Sequence, residues 1–81
     1  MNLSEVKSKL GQIAFNLGMT DTVNIDNESF KEIFQIIDSL QLINFVVDIE
    51  NEFNIELPDE FLMPENFVSL DYVAEYILSM S

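Results

Sequence analysis

Apolar residues recurring at intervals of three and four in several stretches, with no alternating apolar and polar run of any length, predict an all-α protein. Chain breakers support this: Gly18, Asn54, Pro58 and Pro64 fall between the periodic stretches rather than inside them. The expected architecture is a four-helix bundle, three main helices plus one short helix, with a long loop after the first helix. Eighty-one residues that are 48% hydrophobic suit one compact domain over 1–81, too small for a second core.

The first helix is carried by Leu3, Val6, Leu10, Ile13, Ala14 and Leu17, which share one helical stripe. Asn2, with Glu5 three residues on, is the expected N-terminal cap, and Gly18 the expected terminator. Thr20, Asp21, Thr22, Asn24, Asp26 and Asn27 favour local side-chain to backbone bonds, so Met19 to Asn27 is expected to be a loop. Ser29 and Glu32 have capping-box spacing, and Phe30, Ile33, Phe34 and Ile37 repeat helically; about one or two turns are expected there.

A third helix is expected from Ser39 to Phe53. Seven of its first ten positions after the serine are apolar (Leu40, Leu42, Ile43, Phe45, Val46, Val47 and Ile49), more than one core-facing stripe requires. Such a helix is central to its domain, has a second apolar client, or both. Asn54 ends it, Pro58 blocks continuation, and Phe61 and Leu62 are expected to point inward from an irregular turn before Pro64. The last helix is capped by Ser69 and buries Leu70, Val73, Ala74, Ile77 and Leu78.

Composition excludes much chemistry. Three Lys, no Arg and fifteen acids give a formal net charge of −12, which is wrong for nucleic acid and repels anionic membrane surfaces. The expected partners are proteins with basic patches. No segment is expected to insert in a membrane or act as a leader, and the cytoplasm is the expected compartment. With no His, Cys or Arg, the chain cannot build a Ser-His-Asp or Cys-His nucleophile, a thiolate metal site or an arginine clamp, so no catalytic residue is assigned and no enzyme activity is expected. Asp21 and Glu32 have the first-to-twelfth spacing of a calcium loop. Val23 and Ile25 at the third and fifth positions offer no side-chain oxygen, however, and Asp26 replaces the turn glycine, so no metal site is assigned.

Ser39 is the better lead. At a helix entrance, backbone N–H groups and the positive end of the helix dipole would stabilise a phosphate esterified to the hydroxyl. A bare Asp-Ser-Leu tripeptide is more often an ordinary helix cap. The surrounding residues change that. Ile36-Ile37-Asp38-Ser39-Leu40, the run Val46 to Glu60 and Pro64-Glu65-Asn66-Phe67-Val68-Ser69-Leu70 together resemble the acyl carrier protein family, over more than half the chain.

The resemblance implies an acyl-carrier-protein-like bundle in which Ser39 receives a 4'-phosphopantetheine arm, donated by coenzyme A and installed by a phosphopantetheinyl transferase. The arm would supply the sulfur that the chain lacks and carry acyl or aminoacyl groups as thioesters. Asp38 would flank the attachment site. Leu40, Val47, Asp48 and Glu50 would meet the transferase, the acyl- or aminoacyl-loading ligase and downstream synthases or transferases, with the acids pairing to basic patches. Leu42, Ile43, Phe45, Val46 and Ile49 would build the core of a monomeric carrier, some of them lining a cavity for an acyl chain. The chain departs from fatty-acid carriers in lacking a Gly two residues before Asp38, and in having Gln41 and Asn44 where acids are usual. Those departures point to a specialised, free-standing carrier of an aminoacyl or secondary-metabolite pathway. The competing class is an unmodified acidic interaction module whose apolar helix docks in a partner groove.

Overall fold

A computed structural model describes residues 1–80. The chain forms α1 (Leu3–Asn16), α2 (Asn27–Ile36), α3 (Ser39–Phe53) and α4 (Leu70–Met80), with two 3₁₀ turns, Asp59–Leu62 and Pro64–Asn66, between the last two helices. All regular structure among the described residues is helical.

Each helix starts where a side-chain oxygen accepts an otherwise orphaned backbone N–H. Asn2 Oδ1 accepts from Glu5 at 2.9 Å, Asp26 Oδ1 from Ser29 at 2.7 Å, Asp38 Oδ1 from Gln41 at 2.8 Å and Ser69 Oγ from Tyr72 at 3.0 Å. The ends are equally explicit. Beyond α1, Gly18 takes φ +74°, while the N–H groups of Gly18 and Met19 return to the carbonyls of Phe15 and Ala14, a Schellman closure. Asn54 ends α3 in the left-handed region at φ 54°.

Two expectations change at this level. The second helix is not one or two turns started by Ser29 but ten residues started by Asp26, because Phe30 and Phe34 are buried by packing that outweighs the local turn preference of Asn27. Leu62 does not point inward with Phe61. Phe61 is 1% exposed and Leu62 49%, since a four-residue 3₁₀ turn cannot bury both neighbours.

The core gathers Val6, Leu10, Ile13 and Ala14 from α1 with Leu70, Val73, Ala74 and Ile77 from α4, closed by Leu42, Phe45, Val46, Ile49 and Phe53 of α3. Large apolar side chains buried this way each contribute about 1.5–3 kcal/mol relative to exposure. An aromatic cluster fills the end of the bundle nearest the α2–α3 junction. Phe34 stacks on Phe67 at 4.3 Å and 7°, meets Phe45 edge-on at 5.3 Å and touches Phe30 at 4.7 Å. Phe61 bridges this group to Tyr76 through contacts of 5.3 and 5.0 Å.

Polar ties join the helix ends. Asn27 and Asp71 exchange two hydrogen bonds, Asn27 Nδ2 donating to Asp71 Oδ2 at 2.9 Å and the Asp71 amide donating to Asn27 Oδ1 at 3.0 Å. Lys7 reaches the other Asp71 oxygen at 2.7 Å, so α1, α2 and α4 converge on one carboxylate. The hydrogen bond from Asn27, then Lys7, hold the Asp71 carboxyl below the usual carboxylate range.

Candidate functional site at the entrance of α3

The chain must turn sharply between α2 and α3, and Ile37 and Asp38 do so in extended conformation. The preceding pair splits: Ile37 is half-buried against the core, whereas Ile36 is 87% exposed. Asp38, at φ −88° and ψ 168°, caps the helix, so Ser39 is its first helical residue rather than its cap.

Ser39 is exposed, and its hydroxyl bonds to none of the described residues. The Asp38 carboxylate covers the Gln41 amide, whereas the N–H groups of Ser39 and Leu40 have no intrahelical partner. An uncommitted hydroxyl thus sits at the electropositive end of a fifteen-residue helix. Beside it opens a cavity of about 170 Å³, lined by Ile37, Asp38, Ser39, Leu42, Ile43, Leu62 and Pro64. Sequence reasoning missed Ile37, Leu62 and Pro64 as neighbours of Ser39. The nearest signal, for Leu62 and Pro64 alone, was the expectation that Phe61 and Leu62 point inward from the turn before Pro64.

The apolar surplus of α3 divides into two stripes. Leu42, Phe45, Val46 and Ile49 are buried, while Leu40, Ile43 and Val47 are exposed by 68%, 48% and 45%. Ile43 was expected in the core, but it lies at the mouth of the cavity, because position 43 shares a helical face with 40 and 47 rather than with 42, 46 and 49. The acids of α3 divide as well. Glu50 is half-buried, and its Oε2 accepts the Leu57 amide at 2.8 Å, fastening the loop beyond the helix instead of facing outward. Glu52 pairs with Lys9 at 3.1 Å. Asp48 is half-buried and lines an open groove between α3 and α1 with Ile13, Asn16, Asn51 and Glu52.

A larger open groove of about 620 Å³ lies between α1 and the long loop. Its charged residues already have structural duties: Lys7 is bound to Asp71, and Asp26 caps α2.

A four-helix bundle that presents a free serine at a helix entrance, in a chain with no His to activate it, has the form of a protein that is modified and handed between enzymes. The chain belongs to the phosphopantetheine attachment site family, whose model matches residues 12–77. Searches of curated proteins and of solved structures returned no significant match. The protein is thus a phosphopantetheine-binding carrier, and its prosthetic group is covalently attached 4'-phosphopantetheine. Carrier domains of this family are modified by a phosphopantetheinyl transferase, interact with partner enzymes and are not themselves catalysts. No helix among the described residues is long and apolar enough to cross a membrane.

Proposed function

We propose that Ser39 is the residue that bears the arm, and that this single-domain carrier holds an acyl or aminoacyl group as a thioester for enzymes of a biosynthetic pathway in the cytoplasm. The observation that carries this reading is the exposed, unbonded Ser39 hydroxyl at the start of α3, inside the matched span of the family. The residues fit a phosphodiester: unpartnered N–H groups lie beside the hydroxyl, and the neighbouring acid, Asp38, has its carboxylate drawn to the Gln41 amide. When bound, the arm supplies a thiol to a chain that has no Cys.

Partner enzymes must cover the neighbours of Ser39 to reach it. Leu40, Ile43 and Val47 continue from that serine along the exposed side of α3, and Asp48, half-buried in the groove toward α1, adds a charge at its border. The docking contact is therefore mainly apolar at its centre, and the acids elsewhere on the surface act by steering basic partners at longer range. Glu50 leaves the docking set, since its carboxylate serves Leu57. The absence of acids at Gln41 and Asn44 favours a specialised aminoacyl or secondary-metabolite carrier over one of housekeeping fatty-acid synthesis.

The test is incubation with coenzyme A and a broad-specificity phosphopantetheinyl transferase, followed by intact-mass measurement. The protein gains one phosphopantetheinyl group and Ser39→Ala gains none. Because Ser39 is exposed and unbonded, Ser39→Ala keeps its stability within about 0.5 kcal/mol. A wild-type chain that stays bare while a control carrier is modified returns the protein to the class of unmodified acidic interaction modules.

A further inference from the structure

We infer that Ile36, the last residue of α2, is a docking residue for the phosphopantetheinyl transferase, which covers an apolar collar on both sides of the α2–α3 junction instead of reading α3 alone. The inference rests on the reading of Ser39 as the modified residue and extends the contact made there.

Exposure singles this residue out. Isolated apolar side chains on a surface are ordinary, but these are not scattered. The two most exposed large hydrophobic residues among those described are Ile36 at 87% and Leu40 at 68%, and they bracket Ser39 in the chain. The cavity beside the serine adds Ile43 and Leu62, both exposed. Three segments, α2, α3 and the turn Asp59–Leu62, thus contribute to one collar. Local structure does not call for isoleucine at position 36, since a β-branched residue is a poorer helix former than Ala or Leu and this one adds nothing to the core.

Charge points the same way. The chain has a net charge of −12, yet between Glu32 and Asp48 its one charged residue is Asp38, whose carboxylate is engaged by the Gln41 amide. The surroundings of Ser39 therefore form a nearly neutral apolar island on an acidic protein. What complements such an island is an apolar surface edged with basic groups, because cations brought to its centre would lose hydration with no acid but Asp38 to pair with.

Reach identifies the occupant. Enzymes that act on the cargo meet the thiol at the far end of the arm, whereas the transferase must act on the serine itself. There the Ser39 Oγ forms a bond to the pantetheine-side phosphorus of coenzyme A, the diphosphate bridge breaks, adenosine bisphosphate leaves, and the hydroxyl proton passes to a base of the transferase. Three residues at no more than about 3.6 Å each put the Ile36 Cα within about 11 Å of that of Ser39. A standard contact of about 800 Å² per partner, taken as round, has a radius of about 16 Å. A transferase centred on Ser39 therefore covers Ile36.

The experiment uses the full chain, coenzyme A and a broad-specificity phosphopantetheinyl transferase, and follows arm transfer by intact mass across a range of carrier concentrations. Wild type, Ile36→Ser and Ile36→Val are compared, with a thermal midpoint for each. The expected result is a KM for Ile36→Ser raised about tenfold at a kcat within about twofold of wild type, with Ile36→Val retaining most of the wild-type KM. The midpoints stay within about 3 °C of one another, because the side chain is exposed. A KM for Ile36→Ser within about twofold of wild type overturns the inference and leaves Ser39 as the modified residue. So does a loss confined to kcat, which would place Ile36 in shaping the junction around Ser39 rather than in docking. A wild-type chain that gains no arm while a control carrier does overturns the carrier reading and this inference with it.

Discussion

Gly11 offers a test in which two well-known effects have opposite signs. It lies inside α1, where replacing Gly by Ala in an exposed position stabilises a helix by about 1 kcal/mol. Here the position is buried, because the backbone of the long loop crosses it. A Cβ built on Gly11 would lie 3.1 Å from the carbonyl carbon of Val23 and closer still to its oxygen. Neither atom belongs to a side chain that can rotate away. Relief requires moving the Val23 backbone, which is followed by the buried Ile25 and held by a bond from the Asn24 amide to Thr22 Oγ1 at 3.2 Å. Overpacking of this kind costs about 1–3 kcal/mol, and rigid backbone places this case at the upper end. Subtracting the helix-propensity gain leaves Gly11→Ala destabilised by about 1–2 kcal/mol, a fall in midpoint of about 4–15 °C for a domain of this size. Thermal and urea denaturation followed by circular dichroism measure it. A Gly11→Ala protein as stable as wild type, or more so, would refute the close approach of the loop to α1.

The other predictions concern the site and the helix ends. Asp38→Ala removes the acceptor of the Gln41 amide and lowers stability by about 1 kcal/mol, while Asp38→Asn retains most of it; chemical denaturation separates the two. Leu40→Glu or Val47→Asp lowers transferase kcat/KM by about tenfold, roughly 1.4 kcal/mol of docking energy, whereas Glu50→Gln leaves it unchanged; an equal loss in Glu50→Gln would return Glu50 to the docking face. Asp26 and Asp71 both titrate below the ordinary value of 3.8, Asp26 chiefly through the Ser29 amide and Asp71 chiefly through Asn27. Their stabilisation is complete above the unfolded value and is lost as pH falls through the lower folded value. The stability difference between wild type and Asp71→Asn is therefore constant near neutrality and shrinks below about pH 4. Denaturation midpoints at several pH values check this, and a difference that grows on acidification would contradict the assigned direction.

Local chemistry made several features legible in the linear chain. Asn2, Ser69, Gly18 and Asn54 mark helix limits through bonds or dihedral angles that involve residues only a few positions away, so the chain order alone contains the whole interaction. The core stripes of α1 and α4 are legible for the same reason, because a helical period fixes which side chains share a face. Asp38-Ser39-Leu40 could be recognised as a helix entrance, although which residue caps and which stands free depends on one backbone turn.

Other features depend on contacts between distant segments. The length of α2 follows from Phe30 and Phe34 meeting Phe45 and Phe67, partners that a window around Ser29 does not contain. The period of α3 shows seven apolar positions but not which of two stripes is covered; packing against the rest of the bundle left Leu40, Ile43 and Val47 in water. Glu50 looks like any surface acid until the chain doubles back after Asn54 and brings the Leu57 amide to it. By itself, then, the sequence determined the helical class, most of the caps and a serine open to modification, since these rest on short-range backbone geometry. The tertiary structure alone decided the shape of the cavity beside that serine, the face left for partners and the junction of Lys7, Asn27 and Asp71, because each arises where residues far apart in the chain compete for the same space and the same polar atoms.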